Sequence, residues 1–206
     1  SDQSFSNFLI KYVFVDKKYI PFDLMLRTCF EINRGRTIEA CNILINVFAD
    51  ESVRGYLEEQ INVVWNDLID EPERSAPFFN AFHMINPTES LLILQAQIEK
   101  EDSVEFDAKS IELKADDSKT IENEIISNLC SYKYTEQESE AIELLLSLYD
   151  KRPDLFLEVY SALTHVLGID KDSAYYDYCV QKTIISNLDQ KMDEQVDENF
   201  KFLFVR

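Results

Sequence analysis

Three side chains of one helical segment have the types that acyl-transfer enzymes combine: a hydroxyl, a carboxylate and an imidazole. Ser161, Glu158 and His165 are three and four residues apart, which places them on one face of a predicted helix. Nucleophilic catalysis also needs an enclosing pocket and donors for the oxyanion, and a single exposed helix provides neither. We therefore interpret His165 as a histidine near a helix C-terminus that interacts with the last carbonyl groups.

A second group of side-chain oxygens follows at Asp170 and Asp172, in a pattern that begins like a calcium-binding loop. An EF-hand loop needs an oxygen ligand at its fifth position, Gly at its sixth and Glu at its twelfth. Those positions hold Ala174, Tyr175 and Gln181. The two aspartates therefore predict the cap of a following helix, and not a metal site.

No motif for phosphate binding or metal catalysis is present in the sequence. The chain has 3 Gly, placed singly, so it cannot form the glycine-rich loop that binds nucleotide phosphates. The 4 Cys show no C-x-x-C spacing and predict small buried side chains. We therefore predict no catalytic, cofactor-binding or metal-binding residues and no cofactor.

Tyr175, Tyr176 and Tyr178 form a dense cluster beside Asp177. Tyrosine is common in recognition surfaces because it offers a large contact area with few rotatable bonds. Together with His165, these residues are the candidate interaction surface. The alternative is that the tyrosines fill the space between packed helices.

The spacing of apolar residues predicts helices along most of the chain. Apolar residues recur every three or four positions from Val53 to Leu68 and again from Ala141 to Tyr149. Pro153 is placed to begin a further helix, and Gly168 to end it in a left-handed cap. A break of about two residues would then make the next helix an antiparallel neighbour.

We expect an all-α fold of antiparallel helix pairs, stacked as an irregular HEAT- or TPR-like array. Apolar and polar residues alternate after residue 102, which predicts a minor extended or β-hairpin strap near 103–115. The expected domains are an N-terminal helical lobe (1–99), a charged linker or strap (100–119) and a C-terminal helical-repeat-like region (120–206). We expect the chain to continue beyond this last region.

The net charge of −19 opposes binding to nucleic acid and to anionic lipid, and it suits a basic protein partner. No apolar run reaches the roughly 20 residues that span a bilayer. These features favour a cytoplasmic protein with no nucleic-acid or membrane partner.

Several short runs resemble the helical region downstream of the nucleotide-binding domain in large bacterial STAND-like P-loop NTPases. The best are Lys-Arg-Pro-Asp-Leu-Phe at 151–156, Gly-Ile-Asp-Lys-Asp-Ser at 168–173 and Tyr-Asp-Tyr at 176–178. The others are Ala-Leu-Thr at 162–164, Val-Gln at 180–181, Glu-Asn-Phe at 198–200, Leu-Phe at 203–204, Phe-His at 82–83 and Pro-Thr-Glu at 87–89. The resemblance implies a scaffold of a signalling or defence protein whose NTPase site lies outside this chain, so no phosphate-binding residue is carried over.

We therefore expect a non-catalytic helical scaffold that binds other domains of the same polypeptide or a protein partner. One alternative is a complete helical regulatory protein that binds a basic partner. Another is a small hydrolase built from scattered carboxylates, which would need a deep pocket holding two acids with separated pKa values.

Overall fold

The structure is a computed structural model that describes residues 2–48, 50–107, 123–194, 200–201 and 203. Over these residues every regular element is a helix and no strand is present, which confirms the all-α prediction. The way the helices pack is compatible with a helical repeat-like array. No helix in the described part of the chain combines the length and apolar character that crossing a bilayer requires.

The helices run in chain order through two compact units, residues 1–90 and 91–206. They are α1 (Asp2–Lys11), α2 (Phe22–Ile32), α3 (Arg34–Phe48), α4 (Glu51–Leu68), α5 (Pro72–Ala81), α6 (Pro87–Lys100), α7 (Glu124–Cys130), α8 (Glu138–Lys151), α9 (Phe156–Ser161) and α10 (Cys179–Glu194). A 3₁₀ turn (Pro153–Leu155) and two π-helical turns (Tyr12–Asp16 and Ala162–Val166) join some of them. The expected domains at 1–99, 100–119 and 120–206 stay a prediction.

In the first unit, α2, α3 and α4 pack on one another and α5 lies against α4. The stripe expected on α4 is buried at Val53, Leu57, Ile61, Val64 and Trp65. Burial of several large side chains, at about 1.5–3 kcal/mol each, outweighs the weak intrinsic preference of any one residue for helix.

In the second unit, α8 is the most enclosed helix and packs against α7, α9 and α10. Its buried residues follow the predicted stripe and include Leu145, Leu148 and Tyr149. Pro153 lies in the first turn of the next helical segment, as predicted, because that position needs no backbone donor.

Residues 103–107 of the predicted strap are irregular chain, while 108–115 lie outside the described residues. The Val104 N–H donates to the carbonyl of Lys151, with a nitrogen–oxygen distance of 2.8 Å. Lys151 Nζ in turn donates to the carbonyl oxygen of Glu99, at 2.7 Å. A hydrogen bond to the C-terminal end of α8 thus holds Val104 in irregular chain, where the sequence predicted an extended or β-hairpin strap.

The Lys-Arg-Pro-Asp run has structural contacts that account for it. The Arg152 guanidinium binds both carboxylate oxygens of Asp154, at 2.9 and 2.8 Å, and Glu101 Oε2 at 2.6 Å. The hydrogen bonds from Arg152 lower the pKa of the Asp154 carboxyl below its usual value. The run therefore joins the end of α8 to the chain that follows α6.

Candidate functional site

The carboxylate of Asp170 organises the loop that precedes α10. Its Oδ1 accepts hydrogen bonds from the backbone N–H groups of Asp172 (2.9 Å) and Ser173 (3.0 Å). The same oxygen accepts from the hydroxyls of Tyr134 (2.8 Å) and Ser173 (3.1 Å), and Oδ2 accepts from Lys133 Nζ at 2.7 Å. Five donors therefore converge on one side chain and fix the backbone around it.

These donors also decide the electrostatic state of Asp170. The hydrogen bond from Lys133, followed by that from Tyr134, holds the pKa of the Asp170 carboxyl well below its usual range. A metal ion would need these same oxygens, and N–H, O–H and ammonium groups already surround them. The arrangement is that of a structural cap, and the described residues contain no cluster of His, Cys, Asp and Glu able to hold a metal.

Lys133 has the role that the sequence suggested for His165. Its ammonium lies 2.7 Å from the carbonyl oxygen of Val166 and 3.1 Å from that of Gly168, so it satisfies carbonyl groups at the end of the π-helical turn. His165 is exposed on that turn. The sequence predicted that His165 would interact with these last carbonyl groups. This prediction is wrong at Val166 and Gly168, whose carbonyl oxygens accept hydrogen bonds from Lys133.

Gly168 is required for a reason different from the predicted left-handed cap. Its φ is not positive, and no described glycine has a positive φ. A Cβ at this position would lie 2.1 Å from the carbonyl oxygen of Thr164 and 2.8 Å from its carbonyl carbon. The chain passes so close to the preceding π-helical turn that only glycine fits.

The left-handed cap occurs nine residues later, at Asp177. A single helical turn after Asp172 ends when the Tyr178 N–H donates to the Ser173 carbonyl (2.8 Å) and the Asp177 N–H donates to the Ala174 carbonyl (3.3 Å). This pair of hydrogen bonds is a Schellman motif, and Asp177 occupies its C′ position with φ 51°. The predicted short break before the next helix is wrong, because α10 begins only at Cys179.

Backbone strain concentrates at this site. Of the four non-glycine residues with positive φ in the described chain, three lie here: Tyr134 (65°), Asp177 (51°) and Tyr178 (56°). Such a conformation costs on the order of 1–3 kcal/mol for a residue with a side chain. For Tyr134 the neighbours supply the compensation, since its N–H donates to Glu138 Oε2 at 3.0 Å and its hydroxyl to Asp170.

The tyrosine surface, which we define as Tyr175, Tyr176, Asp177, Tyr178 and His165, consists of exposed residues. Tyr175 is 86% exposed, and Tyr176 and Tyr178 are 41% and 43% exposed. These values do not fit the alternative that the tyrosines fill a helix-to-helix interface.

The ring contacts of the tyrosine surface involve two of its members and one residue from a distant turn. The Tyr176 ring stacks on Tyr134, with centroids 4.3 Å apart and planes 12° from parallel. The Tyr175 ring meets Tyr176 edge to face at 5.0 Å. Sequence reasoning missed Tyr134 because it lies 42 positions before Tyr176, and no local pattern connects them.

The hydroxyl, carboxylate and imidazole of the α9 region do not share a face. Ser161 is fully buried, His165 is exposed, and Glu158 Oε2 accepts the backbone N–H of Asn123 at 2.8 Å. The expectation that these three residues lie on one exposed face is wrong. The carboxylate of Glu158 instead supports the start of α7.

No protein-family model, no curated protein and no solved structure matches this chain.

Proposed function

We propose that this chain is a non-catalytic helical interaction segment and that the tyrosine surface is where it binds a protein or another domain of the same polypeptide. The observation that carries the proposal is the combination of exposed aromatic side chains with a loop fixed by the Asp170 carboxylate. A loop that is already ordered loses little conformational entropy on binding, so more of its contact energy remains as affinity. Tyrosine adds contact area with only two rotatable side-chain bonds.

The charges around the tyrosine surface indicate how it would bind. Lys133 forms a salt bridge with Asp170 and Lys182 forms one with Asp177, each at 2.7 Å. In the sequence, Lys171 also lies between Asp170 and Asp172. These charges offset one another in a chain of net charge −19, which favours recognition by aromatic contact area.

The wider setting that we propose is a helical scaffold of a large bacterial, cytoplasmic P-loop NTPase of the signalling or defence type. The support is the resemblance of the runs around 151–156 and 168–178, together with the all-helical fold. Under this proposal the isolated chain hydrolyses no ATP above a heat-inactivated control. The coding sequence upstream should also contain a phosphate-binding loop.

The interaction role can be tested by site-specific photocrosslinking in the native cell. A photoreactive phenylalanine analogue at Tyr175 should give one discrete crosslinked product, or an internal crosslink within a longer polypeptide. The same analogue at Tyr19, which is 67% exposed in the first unit, is the matched control. A crosslinking pattern at Tyr175 that equals the pattern at Tyr19 would show that the tyrosine surface has no dedicated partner.

A further inference from the structure

The first helix of the chain, α1, carries an apolar stripe that is turned towards solvent. The stripe consists of Phe5, Phe8, Leu9 and Tyr12, which recur at the three- and four-residue spacing of one helix face. Phe5 is 64% exposed, Phe8 53% and Leu9 41%, and no side chain of residues 5–11 is buried. A helix that packs only within its own domain turns such a stripe inward. We call these four residues the α1 stripe.

The opposite side of α1 is the one that contacts the rest of the first unit. Ser6, Asn7 and Ile10 line a cleft of about 330 Å³ together with residues of α3. The Lys11 ammonium lies 5.6 Å from the centre of the Phe48 ring, which belongs to α3. Of the three cleft residues on α1 only Ile10 is apolar, so most of the apolar surface of this helix remains outside the contact. Burial of that surface would be favourable, and a partner for the α1 stripe is therefore expected.

The exposed area of the α1 stripe limits the kind of complex that it can form. Aromatic side chains present about 150–250 Å² each, so with these exposed fractions the stripe offers on the order of 300 Å² of apolar surface. A stable protein interface buries about 800 Å² per partner. The stripe can therefore form the apolar centre of a small, reversible interface, but not of a permanent one.

Charge favours a second copy of the same chain as the partner. Two chains of net charge −19 repel each other, so acidic surfaces oppose their association. The first 20 residues, with three lysines and two aspartates, do not share this excess of acid. Lys11 beside the α1 stripe is paired with Asp16, and the stripe itself has no charged residue. Two copies can therefore meet through the stripe without bringing their acidic groups together.

The order of residues in the α1 stripe fits a two-fold axis. The intervals between its members are three, one and three residues, which read the same in both directions. In an antiparallel pair of α1 helices, Phe5 would lie opposite Tyr12 of the second copy, and Phe8 opposite Leu9. This register brings aromatic and apolar side chains together across the whole length of the stripe.

We propose that α1 is a dimerisation helix and that two copies of this chain associate through an antiparallel pairing of their α1 stripes. This surface is separate from the tyrosine surface and does not depend on its proposed role. The same patch is used on both chains, so the contact closes on itself and the assembly stops at two chains. A dimer also presents every other binding surface twice, which raises its avidity for a multivalent partner.

Sedimentation velocity on the full 206-residue chain, from about 1 to about 200 µM, tests the proposal. An interface of this size should give a reversible monomer–dimer equilibrium with a Kd of roughly 1–100 µM. The double variant F5Q/F8Q removes the two exposed rings without changing the net charge, and we expect it to raise the Kd at least tenfold. A wild-type chain that is monomeric at 200 µM would overturn the proposal, and so would a variant that dimerises as well as the wild type.

A matched variant separates the α1 stripe from general stickiness of the chain. The double variant I32Q/V63Q makes the same kind of change at Ile32, which is 79% exposed at the end of α2, and at Val63, which is 41% exposed on α4. It should raise the Kd less than threefold, and far-ultraviolet circular dichroism should show the same helix content in both variants and the wild type. Equal losses of affinity in the two variants would refute the stripe as the interface.

A photoreactive phenylalanine analogue at Phe5 tests the register, because it keeps an aromatic ring in that position. The covalent dimer, separated from internal products by size, should carry its crosslink near Tyr12 of the second copy. A crosslink that maps near Phe5 of the second copy would contradict the antiparallel pairing. Cosedimentation with vesicles of phosphatidylcholine and phosphatidylglycerol, by a chain that stays monomeric, would assign the α1 stripe to a lipid surface and overturn the proposal.

Discussion

Substituting Gly168 and Gly55 by Ala should change stability in opposite directions, although the chemical change is the same. At Gly168 the new methyl group would lie 2.1 Å from the Thr164 carbonyl oxygen, well inside van der Waals contact. That oxygen belongs to the backbone of a π-helical turn, so no side-chain rotation can relieve the clash. Gly55 lies inside α4, and apart from its chain neighbours and the backbone of its own helix no atom lies within 4 Å of the position where its Cβ would be.

The magnitudes follow from these two environments. Overpacking a well-packed region costs about 1–3 kcal/mol, and the loss of glycine's freedom in the unfolded chain returns about 0.4–1 kcal/mol. We therefore expect Gly168→Ala to destabilise the protein by about 1–2 kcal/mol. Inside a helix, Ala is favoured over Gly by about 0.5–1 kcal/mol, so Gly55→Ala should stabilise it by that amount.

Urea unfolding followed by circular dichroism, with thermal melting as a second measurement, checks both values. For a chain of this length 1 kcal/mol corresponds to about 2–4 °C in Tm. Gly168→Ala should therefore melt about 2–8 °C below the wild type, and Gly55→Ala about 1–4 °C above it. A Gly168→Ala chain that is as stable as the wild type would refute the close approach to Thr164, and with it our account of this turn.

Three further predictions concern the site and the cysteines. Asp177→Gly should raise Tm by about 1–3 °C, because glycine adopts φ 51° without strain and the lost ion pair with Lys182 is exposed. A lower Tm would contradict the Schellman cap. The partners of Asp170 hold the pKa of its carboxyl below the usual range. The ionised carboxylate therefore stabilises the fold fully above about pH 3.9, and this stabilisation is lost as the pH falls further. Asp170→Asn should therefore lower the urea midpoint at pH 6, by a margin that shrinks towards pH 2.5; a constant margin would speak against the role of its charge. In the native protein a maleimide should label exposed Cys29 before Cys41 and Cys130, whose thiols are buried with pKa values raised to about 12; equal rates would count against that burial.

The parts of the fold that the sequence predicts well are those set by local periodicity. The stripe on α4 is buried as expected, because an apolar repeat of three to four residues leaves a helix only one face to bury. Pro153 begins a helical segment for an equally local reason, the lack of an N–H group. Cys41 and Cys130 are buried as predicted, whereas Cys29 is exposed, because residue type alone does not determine the side of a helix on which a cysteine lies.

The hydrogen bonds that hold the loop around Asp170 were not predictable, because several of them join residues far apart in the chain. Lys133 and Tyr134 reach Asp170 across 37 and 36 positions, and nothing near Asp170 in the sequence indicates that its carboxylate will meet an ammonium group. The left-handed cap was expected at Gly168, because glycine is the usual residue type at the C′ position of such a cap. In the structure Asp177 occupies the C′ position instead. Residue preferences rank the candidates for such a cap, and tertiary contacts select the one that is used.

Salt dependence should test whether the tyrosine surface is recognised through contact area or through charge. Lys133 is paired with Asp170 and Lys182 with Asp177 in salt bridges of 2.7 Å, so these charges offset one another locally. Between 0.01 and 0.1 M salt the Debye length falls from about 30 to about 10 Å, which screens attraction between exposed charges. The yield of the Tyr175 crosslink, measured in cell extract over this range, should change less than twofold. If the yield fell several-fold, the tyrosine surface would be recognised through charge, and our argument from aromatic contact area would fail.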